Sequence, residues 1–164
     1  PGDITVALTR DDGFAHVIGG YMEDAMISVE PNQDTFTMFT SADNKSTLMF
    51  HEDSSATVMI TLNQTSASND VLTALYKEFR QAKNPNKLFT ITVKDNNGRS
   101  LYTSAQAFVG KLPTAAYANS MQARDWTIVC HNMDQNAGGN SKLSAADANT
   151  LELLGAVVED RWAP

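Results

Sequence analysis

A mainly β fold with one α-helix (α+β) follows from three features of this sequence. Val58, Ile60 and Leu62 alternate with Thr57, Met59 and Thr61, the period of a strand with two unlike faces. Val71, Leu72, Leu75, Tyr76 and Phe79 then fall on one stripe of a helix. Asp95-Asn96-Asn97-Gly98 separates two strand-like runs and marks a tight turn, because Asn and Gly accept positive φ. Several short strands, good hairpin turns and one helix of roughly four turns predict a β-barrel or β-sandwich with a flanking helix.

The elements follow in chain order. Ile4–Leu8 alternates, with Ile4, Val6 and Leu8 on one side, and Asp11-Asp12-Gly13 reads as a turn. Ala25–Val29 is a second strand ended by Pro31. Thr35–Thr40 and Thr47–His51 form a hairpin around Ser41–Lys45. Threonines alternate along its first arm and core aliphatics are few, so both faces read as polar or semi-polar. Such a hairpin leaves its pairing edges open; it is either completed by another chain or an ordinary surface hairpin. Thr57–Asn63 is the two-faced strand. Ser68, Asn69 and Asp70 supply side-chain oxygens suited to the first free N–H groups of the helix that follows. Leu88–Lys94 directs Phe89, Ile91 and Val93 to one side, and Ser100–Phe108 returns as its partner. Trp126, Ile128 and Cys130 alternate with Thr127, Val129 and His131 in a last core strand. The expected core is Val58, Ile60, Leu62, Leu72, Leu75, Phe79, Phe89, Ile91, Trp126 and Ile128. Asn132–Lys142, with Gly138-Gly139 at its centre, reads as a mobile loop. Ser144-Ala145-Ala146-Asp147 resembles a capping arrangement with Asp in place of Glu, so a short helix can follow until Gly155 interrupts it. Val157-Val158 and Trp162 are candidate anchors for this segment. The expected division is a domain over 1–131, then a loop and extension over 132–164 packed on the same or a neighbouring subunit.

A chain of 164 residues suits one domain with a real core. The single cysteine, Cys130, excludes an intrachain disulfide framework. Pro1-Gly2-Asp3 opens no signal-like stretch, and no apolar run reaches transmembrane length, so stable membrane association is not expected. Net charge is −7, unevenly spread: residues 11–53 hold nine acids and one base (−8), whereas residues 54–100 hold three acids and six bases (+3). This split serves simple solubility, or it makes an acidic face that repels phosphate and a more basic face that can pair with a neighbour. Tight DNA binding calls for the opposite bias.

Catalytic patterns are missing. His16, His51 and His131 form no HxH, HxxxH or HExxH spacing. His51-Glu52-Asp53 reads as a solvated strand end, with metal ligation as the alternative, since strand neighbours point to opposite faces. Cys130 and His131 point apart for the same reason and make no nucleophile–base pair. Gly110-Lys111 lacks the upstream glycine of a P-loop, and no G-x-S-x-G elbow occurs. No enzyme activity, cofactor or metal is expected.

Strand Thr57–Leu62, the run Asn63-Gln64-Thr65-Ser66-Ala67-Ser68-Asn69-Asp70 and Val71-Leu72 together resemble the tail tube proteins of contractile-tailed bacteriophages. The resemblance spans about Ile27 to Cys130, taking in Ile27–Thr37, Ala105–Pro113 and Ala123–Cys130 in order. Two departures stand out: Ser41-Ala42-Asp43-Asn44-Lys45 replaces an expected Gly-containing turn, and the segment after His131 is not covered. The resemblance implies a β-barrel-like subunit with an extended hairpin, a virion structural protein made in the host cytoplasm, whose hexameric rings stack into the inner tube of a contractile tail and conduct the genome. It implies as partners other copies of the chain, the sheath, baseplate and terminator proteins, and double-stranded DNA in passing. The hairpin residues Thr35, Thr37, Phe39, Thr47, Met49 and His51 would pair between subunits. Thr57, Met59, Thr61 and Asn63, with Asp34 and Asp43, would face the lumen. A pyocin-like particle or a type VI secretion system could use the same subunit, and a small-molecule-binding β-barrel domain is a further alternative.

Overall fold

The computed structural model describes residues 3–22, 27–84 and 87–164. Residues 23–26 and the N-terminal Pro1-Gly2 lie outside the described residues, and with them Ala25 and Met26, the expected start of the second strand. Among the described residues ten strands form: β1 (Ile4–Thr9), β2 (Ala15–Val17), β3 (Ile27–Pro31), β4 (Phe36–Thr40), β5 (Ser46–Phe50), β6 (Ala56–Asn63), β7 (Phe89–Asp95), β8 (Leu101–Lys111), β9 (Ala123–His131) and β10 (Asp134–Asn136). Helix α1 (Ser68–Ala82) follows β6, helix α2 (Ala145–Leu153) follows β10, and a 3-10 turn closes Asp160–Trp162.

The main sheet is antiparallel, in the order β2-β1-β7-β8-β9-β6-β3, with β10 beside β8. It is an open sheet, which corrects the expectation of a barrel. Strand alternation reports which face is buried but not whether the outer strands meet. Here β2 and β3 end the ladder, and residues 18–21 run from β1 to the edge of β6, where Tyr21 bridges Leu62. The Ile18 N–H donates to the Val6 carbonyl at 2.9 Å, and the Asn63 N–H donates to the Gly20 carbonyl at 2.8 Å. Gly20 sits at φ +74°, where a Cβ would lie 2.5 Å from Ser66 Oγ, so this approach requires glycine.

Along β6 the burial alternates as the sequence implies: Ala56, Val58, Ile60 and Leu62 are fully buried, and Met59 between them is exposed. The same inner face takes Val6 and Leu8 of β1, Phe89, Ile91 and Val93 of β7, and Trp126, Ile128 and Cys130 of β9. Helix α1 lays Leu72 and Leu75 on this core. Phe79 is only half-buried and stacks on Phe108, ring centroids 5.3 Å apart. Each fully buried aliphatic side chain contributes about 1.5–3 kcal/mol from burial.

Three local expectations change. Ser68, Asn69 and Asp70 do not cap α1, whose N-cap is Ala67 with no side-chain cap bond. Instead Ser68 Oγ lies 2.9 Å from His16 Nε2 and accepts from the Gly19 N–H at 3.1 Å, and Asn69 Oδ1 accepts from Trp126 Nε1 at 2.8 Å. The turn after β7 forms without positive φ at Asn96, Asn97 or Gly98. Asp95 Oδ1 accepts from the Asn97 N–H at 3.0 Å, and a Cβ at Gly98 would collide with the Asp95 carboxylate. The stretch after His131 is not a loose loop. Asn132 turns the chain at φ +49°, β10 pairs with Leu101–Thr103, and the Met133 N–H donates to the Ser54 carbonyl at 3.1 Å. A second helix also exists, α2, capped as its sequence suggests: Ser144 Oγ accepts from the Asp147 N–H at 3.2 Å and donates to Asp147 Oδ2 at 2.7 Å.

Candidate assembly surface

Strands β3 and β6 pair from Ile27↔Ile60 to Pro31↔Ala56, and β4 and β5 pair beyond them from Phe36↔Phe50 to Thr40↔Ser46. The hairpin is thus the outer half of a longer ribbon. Four residues (32–35) face five (51–55) at the junction, so one strand carries an extra residue, as in a bulge. Polar bonds hold this waist: the His51 N–H donates to the Thr35 carbonyl at 2.8 Å, the Asn32 N–H to the Ser55 carbonyl at 3.0 Å, and Gln33 Nε2 to Asp53 Oδ2 at 2.9 Å. Asp53 Oδ1 also accepts from the Ser55 N–H at 3.0 Å, and these bonds from Ser55 hold its carboxyl below the usual carboxylate range. At the tip Asn44 takes φ +63°, which a short polar side chain tolerates without glycine. The Ser41 hydroxyl donates to the Asp43 carboxylate, with Lys45 3.8 Å away, and Ser41 is the main cause of the lowered Asp43 pKa.

Every residue of β4 and β5 is exposed, and the two strands pair only with each other. The observed register separates their side chains into two unlike sets. Thr37, Phe39, Thr47 and Met49 share one face, continued by Thr35 and His51 at the waist; Phe36, Met38, Leu48 and Phe50 share the other. The second face corrects the reading of a hairpin with two polar or semi-polar sides. Its residues are 60%, 68%, 63% and 60% exposed, and the Phe36 and Phe50 rings lie 5.4 Å apart. The signal was in the sequence, in the spacing Phe36-x-Met38 opposite Leu48-x-Phe50, once those two runs are set in register. An isolated two-stranded hairpin is marginal in water, and a contiguous apolar face on it marks a binding surface.

The outward face of β6 carries Thr57, Met59, Thr61 and Asn63. Cross-strand pairing sets Glu30 beside Thr57 and Asp125 beside Thr61. Thr61 Oγ1 donates to Asp125 Oδ1 and Thr57 Oγ1 to Asn32 Oδ1, each at 2.8 Å. Asp34 and Asp43 are exposed and stand at opposite ends of the hairpin, Asp34 at the waist and Asp43 at the tip. Sequence reasoning missed Glu30 and Asp125 as members of this face, since strand pairing alone brings them there.

No group of three or more His, Cys, Asp or Glu residues that could hold a metal ion occurs among the described residues. Cys130 is fully buried in the core, and burial pushes its thiol up to about 12. Among the described residues no helix is long and apolar enough to cross a membrane.

Residues 3–138 match the family described as the bacteriophage PhiTE tail tube protein. Structural protein ORF10 of Pseudomonas phage KPP10 is 40% identical over 163 residues, covering 99% of this chain and 94% of its own length. Among solved structures, a chain of the native gene transfer agent virion aligns with TM-score 0.53 at 11% identity, over 83% of this chain and 97% of that one. A chain from the extended sheath–tube complex of the PVC extracellular contractile injection system aligns with TM-score 0.47 at 11% identity, over 82% and 88%.

Proposed function

This chain belongs to the phage tail tube family, structural components of the virion, and we propose that it assembles into hexameric rings stacked as the inner tube of a contractile tail, a passive conduit for the genome. The observation that carries this reading is the projecting β4–β5 hairpin, with all of its strand residues exposed and one face apolar. Burying that face against the next copy, with edge pairing along the hairpin, supplies apolar burial and satisfies free backbone groups. The outward face of β6, with Thr57, Met59, Thr61 and Asn63, would line the lumen beside Glu30 and Asp125. The carboxylates there repel phosphate over about a Debye length, roughly 8 Å at physiological salt, with Lys111, beside Thr127, as a cation that the register brings to the same face. Asp34 and Asp43 would join that lining only if the hairpin itself borders the lumen. Sheath, terminator and baseplate proteins are the expected outer and end partners. The 40% identical relative in a Pseudomonas phage favours a phage tail over a pyocin-like particle or a type VI system.

The test is negative-stain microscopy of the purified protein at rising concentration. Rings or tubes of uniform width with sixfold end views are expected. A monodisperse monomer at all concentrations would overturn the reading, and rings of another order would overturn the hexamer.

A further inference from the structure

A groove of about 580 Å³ lies between the C-terminal half of α1 and the end of β8. Tyr76, Phe79, Leu88 and Phe108 give it an apolar floor, and Arg80 and Lys83 stand at its rim. Neither cation has an ion pair among the described residues, whereas nearby Lys87 pairs with Glu78 at 3.0 Å. Residues 143–160 present the reverse chemistry. Leu153, Leu154 and Val157 are 87%, 76% and 95% exposed, and this stretch has four acids (Asp147, Glu152, Glu159, Asp160) and no base. Glu159 is held by Arg161 at 2.8 Å and Asp147 by Ser144, while Glu152 and Asp160 have no ion pair among the described residues.

The two surfaces sit at opposite ends of the β7–β8 pair. Leu88 immediately precedes β7 and Gly110 borders the groove near the end of β8. The acidic segment is pinned beyond the other end, at the β7–β8 turn: Arg161 Nη2 donates to the Gly98 carbonyl at 3.4 Å, and the Arg99 guanidinium lies 5.2 Å from the Trp162 ring centre. The seven residues of β7 separate them by about 20 Å. One chain therefore cannot bring its own knob to its own groove without releasing those bonds. Unlike, complementary patches at opposite ends of one subunit make a head-to-tail contact, the kind that closes into a ring or propagates as a filament.

We infer that the Leu153–Val157 knob of one copy seats in the α1–β8 groove of another, with Glu152 and Asp160 reaching Arg80 and Lys83. This contact rests on the tube reading and adds to it a second interface, separate from the hairpin. The photo-crosslinker p-benzoylphenylalanine, placed at Val157 and irradiated in assembled tubes, tests it by mapping of the adducts. Adducts within residues 76–83 or 108–110 of a second copy are expected. Tubes that form but give adducts only elsewhere, or none, overturn the contact and leave the tube reading standing. A wild-type protein that never assembles overturns the tube reading and this contact with it. As a second measurement, Leu154→Asp with Val157→Asp should raise the concentration needed for assembly at least tenfold, with the thermal midpoint unchanged because both side chains are exposed. Assembly at the wild-type concentration overturns the contact.

Discussion

The side-chain amide of Asn69 joins two elements: its Oδ1 accepts from Trp126 Nε1 and its Nδ2 donates to the Asn63 carbonyl, both at 2.8 Å. Trp126 is 1% exposed, so without Asn69 its indole N–H would be a buried donor with no partner. Asn69→Ala is expected to destabilise by about 1–3 kcal/mol, seen as a lower denaturation midpoint. An unchanged midpoint would show that the bond contributes nothing. Cys130 gives a second residue-scale expectation. The native thiol should resist iodoacetamide at pH 8 and react once guanidinium unfolds the chain, because burial suppresses the thiolate. The folded protein keeps this proton while the unfolded chain ionises above its ordinary 9.0, so stability should fall as pH rises from 9.0 toward 12. Rapid native labelling would contradict the buried placement.

At the scale of elements, β6 separates core from surface one residue at a time. Ile60→Ala should cost about 2–5 kcal/mol, while Met59→Ala should stay within about 0.5 kcal/mol. Equal effects in urea unfolding would mean the register is wrong. Its periodicity was readable because burial on one face forces alternation in the sequence. The start of α1 was not: Ser68 and Asn69 are good capping types, but their side chains bond His16, Gly19 and Trp126, partners far away in the chain. The hairpin falls between these cases. Its strands and tip were legible, yet its apolar face emerged only when Phe36 was set opposite Phe50 and Met38 opposite Leu48. Met38→Asp with Leu48→Asp should abolish ring or tube formation in sedimentation and microscopy while far-ultraviolet circular dichroism and the thermal midpoint stay as wild type. Assembly that survives would assign the hairpin some other task.

For the whole molecule, the uneven charge becomes a spatial question. Asp34, Asp43, Glu52 and Asp53 are all exposed around the hairpin, while Arg80 on α1 and Lys83 at its C-cap have no ion pair among the described residues. Replacing the four acids singly with Lys should leave folding largely intact but disturb assembly or DNA passage, read by microscopy of tubes and by infectivity. Wild-type behaviour of all four would reduce the asymmetry to solubility.

Alone, the sequence determined most of the longer strands, the long helix, the inward residues of β1, β6, β7 and β9, the cap of α2 and the absence of recognisable catalytic patterns. Those features depend on periodicity and on bonds between near neighbours, which local order records. Only the tertiary structure decided that the sheet stays open, that Glu30 and Asp125 stand beside Thr57 and Thr61, that β10 ties the segment after His131 to the sheet, and that knob and groove lie at opposite ends. Each of these depends on which distant segments meet, and pairing across the chain is set by the packing of the whole core.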